Sequence, residues 1–196
     1  MAAPDAPDAW KETCLIAFTK QASSSDVQFA GLTETVDIDL GEKDVEGVPL
    51  VSGGRIYKFT PETDTTITLE AYPIYAGTAS GTTGAGFNDL LNSPDTTDQP
   101  LDVSSTRTRY MYRCAILWTD DTGCADACGT VDASYYAFRF EGQDGYVTSV
   151  KPSFTDGILK FTITYKVTPF DKTGATAKVK IQSVDGTTTL ASLGTY

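Results

Sequence analysis

The residues best equipped for chemistry are few, and their spacing limits what they could do. Cys124 and Cys128 share the loop DDTGCADACGT in a C-x3-C arrangement, while Cys14 and Cys114 stand alone. A four-cysteine zinc centre needs two tight pairs, and this chain offers one. Three readings of the cysteines stay open: reduced thiols with Cys14 and Cys114 buried in strands, a loop disulfide between Cys124 and Cys128, or a bound metal. The chain has no histidine. Imidazole-activated serine or cysteine nucleophiles, histidine general bases and histidine-ligated metals are excluded together.

Carboxylates remain. Glu70 and Glu141 could supply a glycosidase-like pair, but the sequence places no readable aromatic sugar platform around either. The acidic loops DDTGCAD and SPDTTDQPLD, around Asp120 and Asp95, could attract calcium. Calcium asks for roughly six to eight oxygens, and neither loop has the EF-hand order of ligands. GTASGTTGAG looks like a phosphate loop, yet it lacks the Gly-Lys-Ser/Thr ending and no long helix follows it. The expectation is a protein that is not an enzyme, with no cofactor and no catalytic or metal-binding residue to assign.

The elements that would carry these residues are strands. In TTITLEAY, Ile67, Leu69 and Ala71 alternate with Thr66, Thr68, Glu70 and Tyr72, the period of a half-buried strand. Its second face carries threonines and an aromatic instead of a solvated lysine and glutamate pattern, which makes it a candidate contact surface. TCLIAFT starts the series of strands, KQASSSD links onward, and Val36, Ile38 and Leu40 alternate with Asp37 and Asp39. GEKDVEG reads as a turn-rich connection. Val48 to Val51 is short and apolar, Gly53-Gly54 allows a tight reversal before Arg55 to Phe59, and Pro61 to Asp64 turns the chain into the TTITLEAY strand as a hairpin.

Residues 77–106 form a long Gly/Ser/Thr/Asp/Pro loop broken only by FNDLL, one short helix docked by Leu90 and Leu91. Tyr110 to Trp118 is a strand apolar on both faces. Tyr136, Phe138 and Phe140 alternate up to a turn at Gly142–Gly145, and Tyr146 to Val150 lead to another turn around Pro152. ILKFTITYKVTP carries the strongest alternation, with Leu159, Phe161, Ile163, Tyr165 and Val167 on one face. A turn at FDKTG and a strand marked by Val179 and Ile181 close the series. Many short strands without helical periodicity predict an all-β two-sheet sandwich or barrel with one short flanking helix and a long loop.

The 196 residues suit a single domain over 1–196, with a loose Pro/Ala/Asp arm at 1–11. Hydrophobic residues at 40% against 21% charged place the chain among globular proteins. A net charge of −11, with no lysine cluster, argues against nucleic-acid binding. The opening MAAPDAPDAWKETC has no basic stretch leading into an apolar run, and no segment approaches the roughly 20 apolar residues of a membrane span. A soluble, cytoplasmically made protein without membrane contact is expected. The outward tyrosines Tyr57, Tyr72, Tyr75, Tyr110 and Tyr135 suggest an interface, because tyrosine is enriched where proteins meet.

The runs GEKDVEGVPLVSGGRIYKFTPETDTTITLEAYPIYAGT (41–78) and VTSVKPSFTDGILKFTITYKVTPFDKTG (147–174) resemble tail tube proteins of long-tailed bacteriophages and archaeal tailed viruses. The two segments cover about a third of the chain. The resemblance lies in order and texture: a Gly-rich turn, a Thr-rich strand, a long loop and a final long hairpin. It implies a β-sandwich or barrel whose copies close into rings, six to a ring, stacked into a tube through which DNA passes without specific binding. It implies a virion-tail location after assembly in the host cytoplasm. Implied partners are further copies, the tape measure, the tail terminator and the baseplate or tip. The assembly surface expected on this reading comprises Thr66, Thr68, Glu70, Tyr72, Tyr75, Phe87, Leu90 and Leu91, and an acidic channel lining would repel phosphate. The competing reading is a β-sandwich binding module that presents loops to a carbohydrate or a receptor, as an adhesin does.

Overall fold

The computed structural model describes residues 13–21, 26–28, 33–72, 111–194 and 196. The expected arm at 1–11, the long loop at 77–106 with its FNDLL helix, and Tyr75 and Tyr110 lie outside them. Ten strands are present: β1 Thr13–Lys20, β2 Asp26–Gln28, β3 Thr33–Asp39, β4 Val45–Pro49, β5 Arg55–Phe59, β6 Thr65–Ala71, β7 Tyr112–Thr119, β8 Tyr136–Thr155, β9 Ile158–Val167 and β10 Val179–Asp185. The described residues contain strands and turns and no helix, so the fold is all-β.

One antiparallel sheet runs in the order β2-β1-β7-β8-β9-β6-β3, with β10 also paired to β8, while β4 and β5 form a second, two-stranded sheet. The large sheet curls over on itself along β8. The first half of that strand pairs with β7 and β10, and its second half pairs with β9. The two wings meet through Ile16, Phe18, Cys114, Ile116 and Phe140 from the first, and Ile67, Leu69, Phe161, Ile163, Tyr165 and Val167 from the second. Phe18 packs edge-on against Tyr165 with ring centroids 5.7 Å apart. The alternation expected for β6 and β9 holds along their inner faces, except that Leu159 runs past the core and is exposed.

The bend in β8 overturns the turns expected at Gly142–Gly145 and at Pro152, both of which lie within one 20-residue strand. Gly-Gln-Asp-Gly has turn composition, but neighbouring ladders hold it extended, and two register shifts absorb the bend. One lies where Tyr112 pairs with Gly145 but Cys114 with Gly142; the other lies at Val147/Ser149. Such bulges bend and twist a strand. Asp144 adopts a positive φ of 58° at the bend. The Tyr165 hydroxyl fills the inside of the corner. It accepts the Gly145 N–H at 3.1 Å and lies 2.8 Å from the carbonyls of Tyr112 and Gly142, one of which receives its proton. A Cβ on Gly145 would stand 2.3 Å from the Tyr165 hydroxyl oxygen, so only glycine fits there.

The outer face of the first wing is covered by its own chain. Leu15, Ala17, Ala115, Leu117 and Ala137 lie beneath Ala127, Cys128 and Val131 of the loop 120–135, and beneath Leu190. Alanines on the sheet let this layer approach closely. Two buried arginines satisfy its backbone. Arg139 donates from Nη1 to the Gly129 carbonyl at 2.8 Å, from Nε and Nη2 to Gln182 Oε1, and from Nη2 to the Ala191 carbonyl. Arg113 donates to the Leu193 and Gly194 carbonyls. Burying a charge is costly unless it is hydrogen-bonded, and carbonyls fill that role here. The Tyr196 hydroxyl bonds the Asp144 carboxylate and accepts the Asp144 N–H at 3.0 Å, while Lys178 forms an ion pair with the same carboxylate.

Two outcomes follow for the corner. Gly145→Ala should cost about 3 kcal/mol through overpacking, and Tyr165→Phe roughly 1–3 kcal/mol through the unsatisfied backbone groups it leaves; urea unfolding at an unchanged m value measures both. Partial burial pushes the Asp144 carboxyl up, but hydrogen bonds from Lys178 and Tyr196 outweigh it and hold it below the ordinary 3.8. A carboxyl depressed in the folded state adds stability above its unfolded pKa and loses it as pH falls through the folded one. Asp144→Asn, which tolerates the positive φ, should therefore reduce stability at neutral pH and flatten the acid limb below about pH 4 in pH-dependent thermal melts.

Candidate assembly interface

The second wing presents a broad polar face. Thr66, Thr68 and Glu70 stand on the outward side of β6, as the alternation predicts, and are half-buried. Register extends this face across four strands. Asp39, Thr66, Lys166 and Tyr146 form one cross-strand row; Asp37, Thr68, Thr164 and Ser149 form the next; Thr35, Glu70, Thr162 and Lys151 form a third. Threonine suits a pleated surface that must stay extended without becoming sticky. Tyr72 lies at one end, half-buried, with the Lys160 ammonium 5.4 Å from its ring centroid.

An acidic lining is not what this face offers. Its outward charges are Asp37, Asp39 and Glu70 against Lys151, Lys160 and Lys166, so the acids and lysines balance. Sequence reading singles out the β6 positions and places Lys160 and Lys166 with Thr162 and Thr164 on one face of β9, but the alignment of the two sets comes only from the register.

The β3–β6 pair continues beyond the body as an arm. Glu42 N–H donates to Thr63 Oγ1 at 2.9 Å, Thr63 N–H to the Glu42 carbonyl at 3.1 Å, and Thr60 N–H to the Asp44 carbonyl at 3.0 Å. From there Val45 pairs with Phe59 and the β4–β5 ladder runs to Pro49 and Arg55. GEKDVEG is thus not wholly a connection, since Val45 to Gly47 are strand. Pro61 to Asp64 do not turn a hairpin either; β5 pairs with β4, through the reversal at Gly53 with φ 84°. Every residue of β4 and β5 is exposed, on both faces of the ladder. Tyr57 at 61%, Phe59 at 62% and Ile56 at 56% are far more open than such residues are in a core. A second apolar projection lies at the β8–β9 tip, where Phe154 is 72% exposed beside Ile158 and Leu159. Register puts the two at opposite ends of the wing: the arm leaves from the Asp39/Thr66 row, and the tip lies beyond Lys151/Thr162.

The groups considered for chemistry do not converge. Glu70 faces outward from the second wing. Glu141 is buried on the outer side of the first, where Gln143 Nε2 donates to it at 2.6 Å and Lys180 Nζ lies 4.0 Å away. Among the described residues no three His, Cys, Asp or Glu side chains gather to hold a metal ion. Cys124 and Cys128 are free thiols and are not joined. The Cys124 thiol points to the Asp126 carbonyl at 3.5 Å, while Cys128 is buried under the covering layer. Burial pushes the Cys14 thiol up to about 11 and raises Cys114 and Cys124 as well.

No protein-family model and no curated protein matches the sequence. Among solved structures, a chain from the anti-feeding prophage cap (AFP tube terminating cap) superposes with a TM-score of 0.52 at 11% identity, over 94% of this chain and 95% of that one. A chain from the PVC sheath–tube complex of an extracellular contractile injection system, in its extended state, gives 0.44 at 17% identity, over 86% and 88%. Hcp1 from Flavobacterium johnsoniae gives 0.32 at 11%, over 87% and 98%. The first likeness establishes the fold: this chain has the architecture of a chain from the anti-feeding prophage cap.

Thiol titration in denaturant without reductant should count four free thiols, and two would mean that Cys124 and Cys128 are bonded. In native buffer Cys124, the more open of that pair, should react well before the buried Cys114 and Cys128.

Proposed function

We propose that the chain is the repeating subunit of a tail tube, closing side by side into rings of six that stack into a conduit in the tail of a long-tailed virus. The observation that carries this reading is the β4–β5 arm. A two-stranded ladder wet on both faces is marginal in water alone, and this one keeps Ile56, Tyr57 and Phe59 exposed. Such a surface is made to be covered. With the apolar β8–β9 tip at the other end of the wing, the arm of one copy reaches the tip side of a copy in the next ring. The fold shared with the prophage cap chain supports the same role.

In this reading the Thr-rich outward face of Thr66, Thr68, Glu70 and Tyr72 lines the conduit, Tyr75, Phe87, Leu90 and Leu91 join the contacts between copies, and further tail components meet the tube at its ends. DNA is the cargo. A lining in which three acids offset three lysines gives a phosphate backbone no net attraction. No catalytic step is assigned.

Negative-stain microscopy of the purified protein should show six-fold rings and tubes, and a monomer at every concentration would overturn the proposal. Replacing residues 45–59 by a short Gly/Ser link should leave a folded protein that makes no tubes; tubes of normal length would remove the arm from the contact between rings.

A further inference from the structure

The second wing is electrostatically divided along its strand order. Asp37 and Asp39 lie on β3 and Glu70 on β6, whereas Lys160 and Lys166 lie on β9 and Lys151 on β8. All six are on the outward face, and the order is β3-β6-β9-β8. One half of the face is therefore acidic and the other basic. Among the described residues β3 pairs only with β6, and β8 beyond Tyr146 pairs only with β9, so each half ends in an open margin.

Two physical constraints decide what such margins accept. Like charges placed opposite each other across a ladder are destabilising and opposite ones stabilising. A joint of β3 with β3 sets acids on acids, and a joint of β8 with β8 sets lysine on lysine. Strand direction adds the second constraint. Each of the four strands is antiparallel to its neighbour. An even number of them leaves the two margins running in opposite directions. A second copy placed beside the first by rotation about an axis along the strands brings its β3 antiparallel to the first copy's β8, in the hydrogen-bonding pattern of the rest of the sheet.

We infer that the acidic β3 margin of one copy docks on the basic β8–β9 margin of the next, and that this charge division is what forbids the symmetric dimer and enforces head-to-tail growth. The occupant of each margin is another copy of this chain. A head-to-tail contact produces a ring where the rotation closes and a filament where it does not, whereas a symmetric contact stops at two copies. This inference rests on the self-assembly reading above and specifies the residues that choose between the two geometries. It also explains why a chain with a strong overall negative charge places three lysines together on a Thr-rich face.

The test uses two charge variants of the full chain, Asp37→Lys with Asp39→Lys, and Lys151→Glu with Lys166→Glu. All these side chains lie on the outward face, and the one backbone bond lost, from the Gly41 N–H to Asp39, is solvent-exposed, so thermal melts should match the parent chain within a few degrees and confirm folding. Light scattering and negative-stain microscopy then read assembly. Each variant alone should need about tenfold more protein to form rings, the equivalent of roughly 1.4 kcal/mol per joint. Rings should return when the two variants are mixed, or when all four exchanges are combined in one chain, because opposite margins then face each other again. If the parent chain assembles and either variant assembles equally well, the charged margins do not form the joint and this inference falls while the tube reading stands. Loss of assembly that neither the mixture nor the combined chain restores also overturns it. A parent chain that stays monomeric overturns the tube reading itself.

Discussion

One hydroxyl buried at the bend of β8 ties the molecule together. The 20-residue strand belongs to both wings, and it can serve both only by turning a corner without breaking either ladder. The corner leaves backbone groups of Gly142, Gly145 and Tyr112 facing inward where water is excluded, and Tyr165 reaches from β9 to meet them. Burial holds that phenol far above its ordinary ionisation range, so it stays a neutral donor at any working pH. The same ring contacts Phe18 across the core. A single side chain thus braces the bend that the two register shifts make and packs into the space between the wings, so the wings cannot be expected to fold as separate units.

The overall acidity has a local origin. Asp121, Asp126, Asp132 and Asp171 each accept the backbone N–H two residues further on, at Gly123, Cys128, Ser134 and Thr173. That is the way aspartate mimics a turn. Part of the negative charge is therefore spent on shaping turns between strands. The strongest case is Asp171, whose carboxyl is held at about 2 by the Thr173 hydroxyl and by the backbone N–H groups of its loop.

How far the fold could be read in advance depended on whether local signals were the deciding ones. β6 and β9 were legible because one face of each is buried, so their period of two is undiluted. β7 was legible as apolar on both faces, since the core lies on one side of it and the covering layer on the other. The corner was not, because Gly-Gln-Asp-Gly is turn composition, and only pairing with β7, β9 and β10 overrides it. Arg113 and Arg139 could not be read as interior, for their carbonyl partners stand as many as 81 residues away. The outward positions of β6 were found, but the opposing lysines come from strands nearly a hundred residues later. Their alignment is a property of register, which no local window contains.

The stitching of the arm to the body carries a consequence for dimension. Because Glu42, Asp44, Thr60 and Thr63 lock the stem into the β3–β6 ladder, the hairpin cannot slide; it can only be made longer or shorter. A residue added to each strand advances the tip by about 3.4 Å and turns Tyr57 and Phe59 to the opposite side, whereas two added to each advance it by roughly 7 Å and keep them in place. The arm behaves as a gauge graduated in double steps, so in the proposed tube related chains should differ in axial pitch by whole increments.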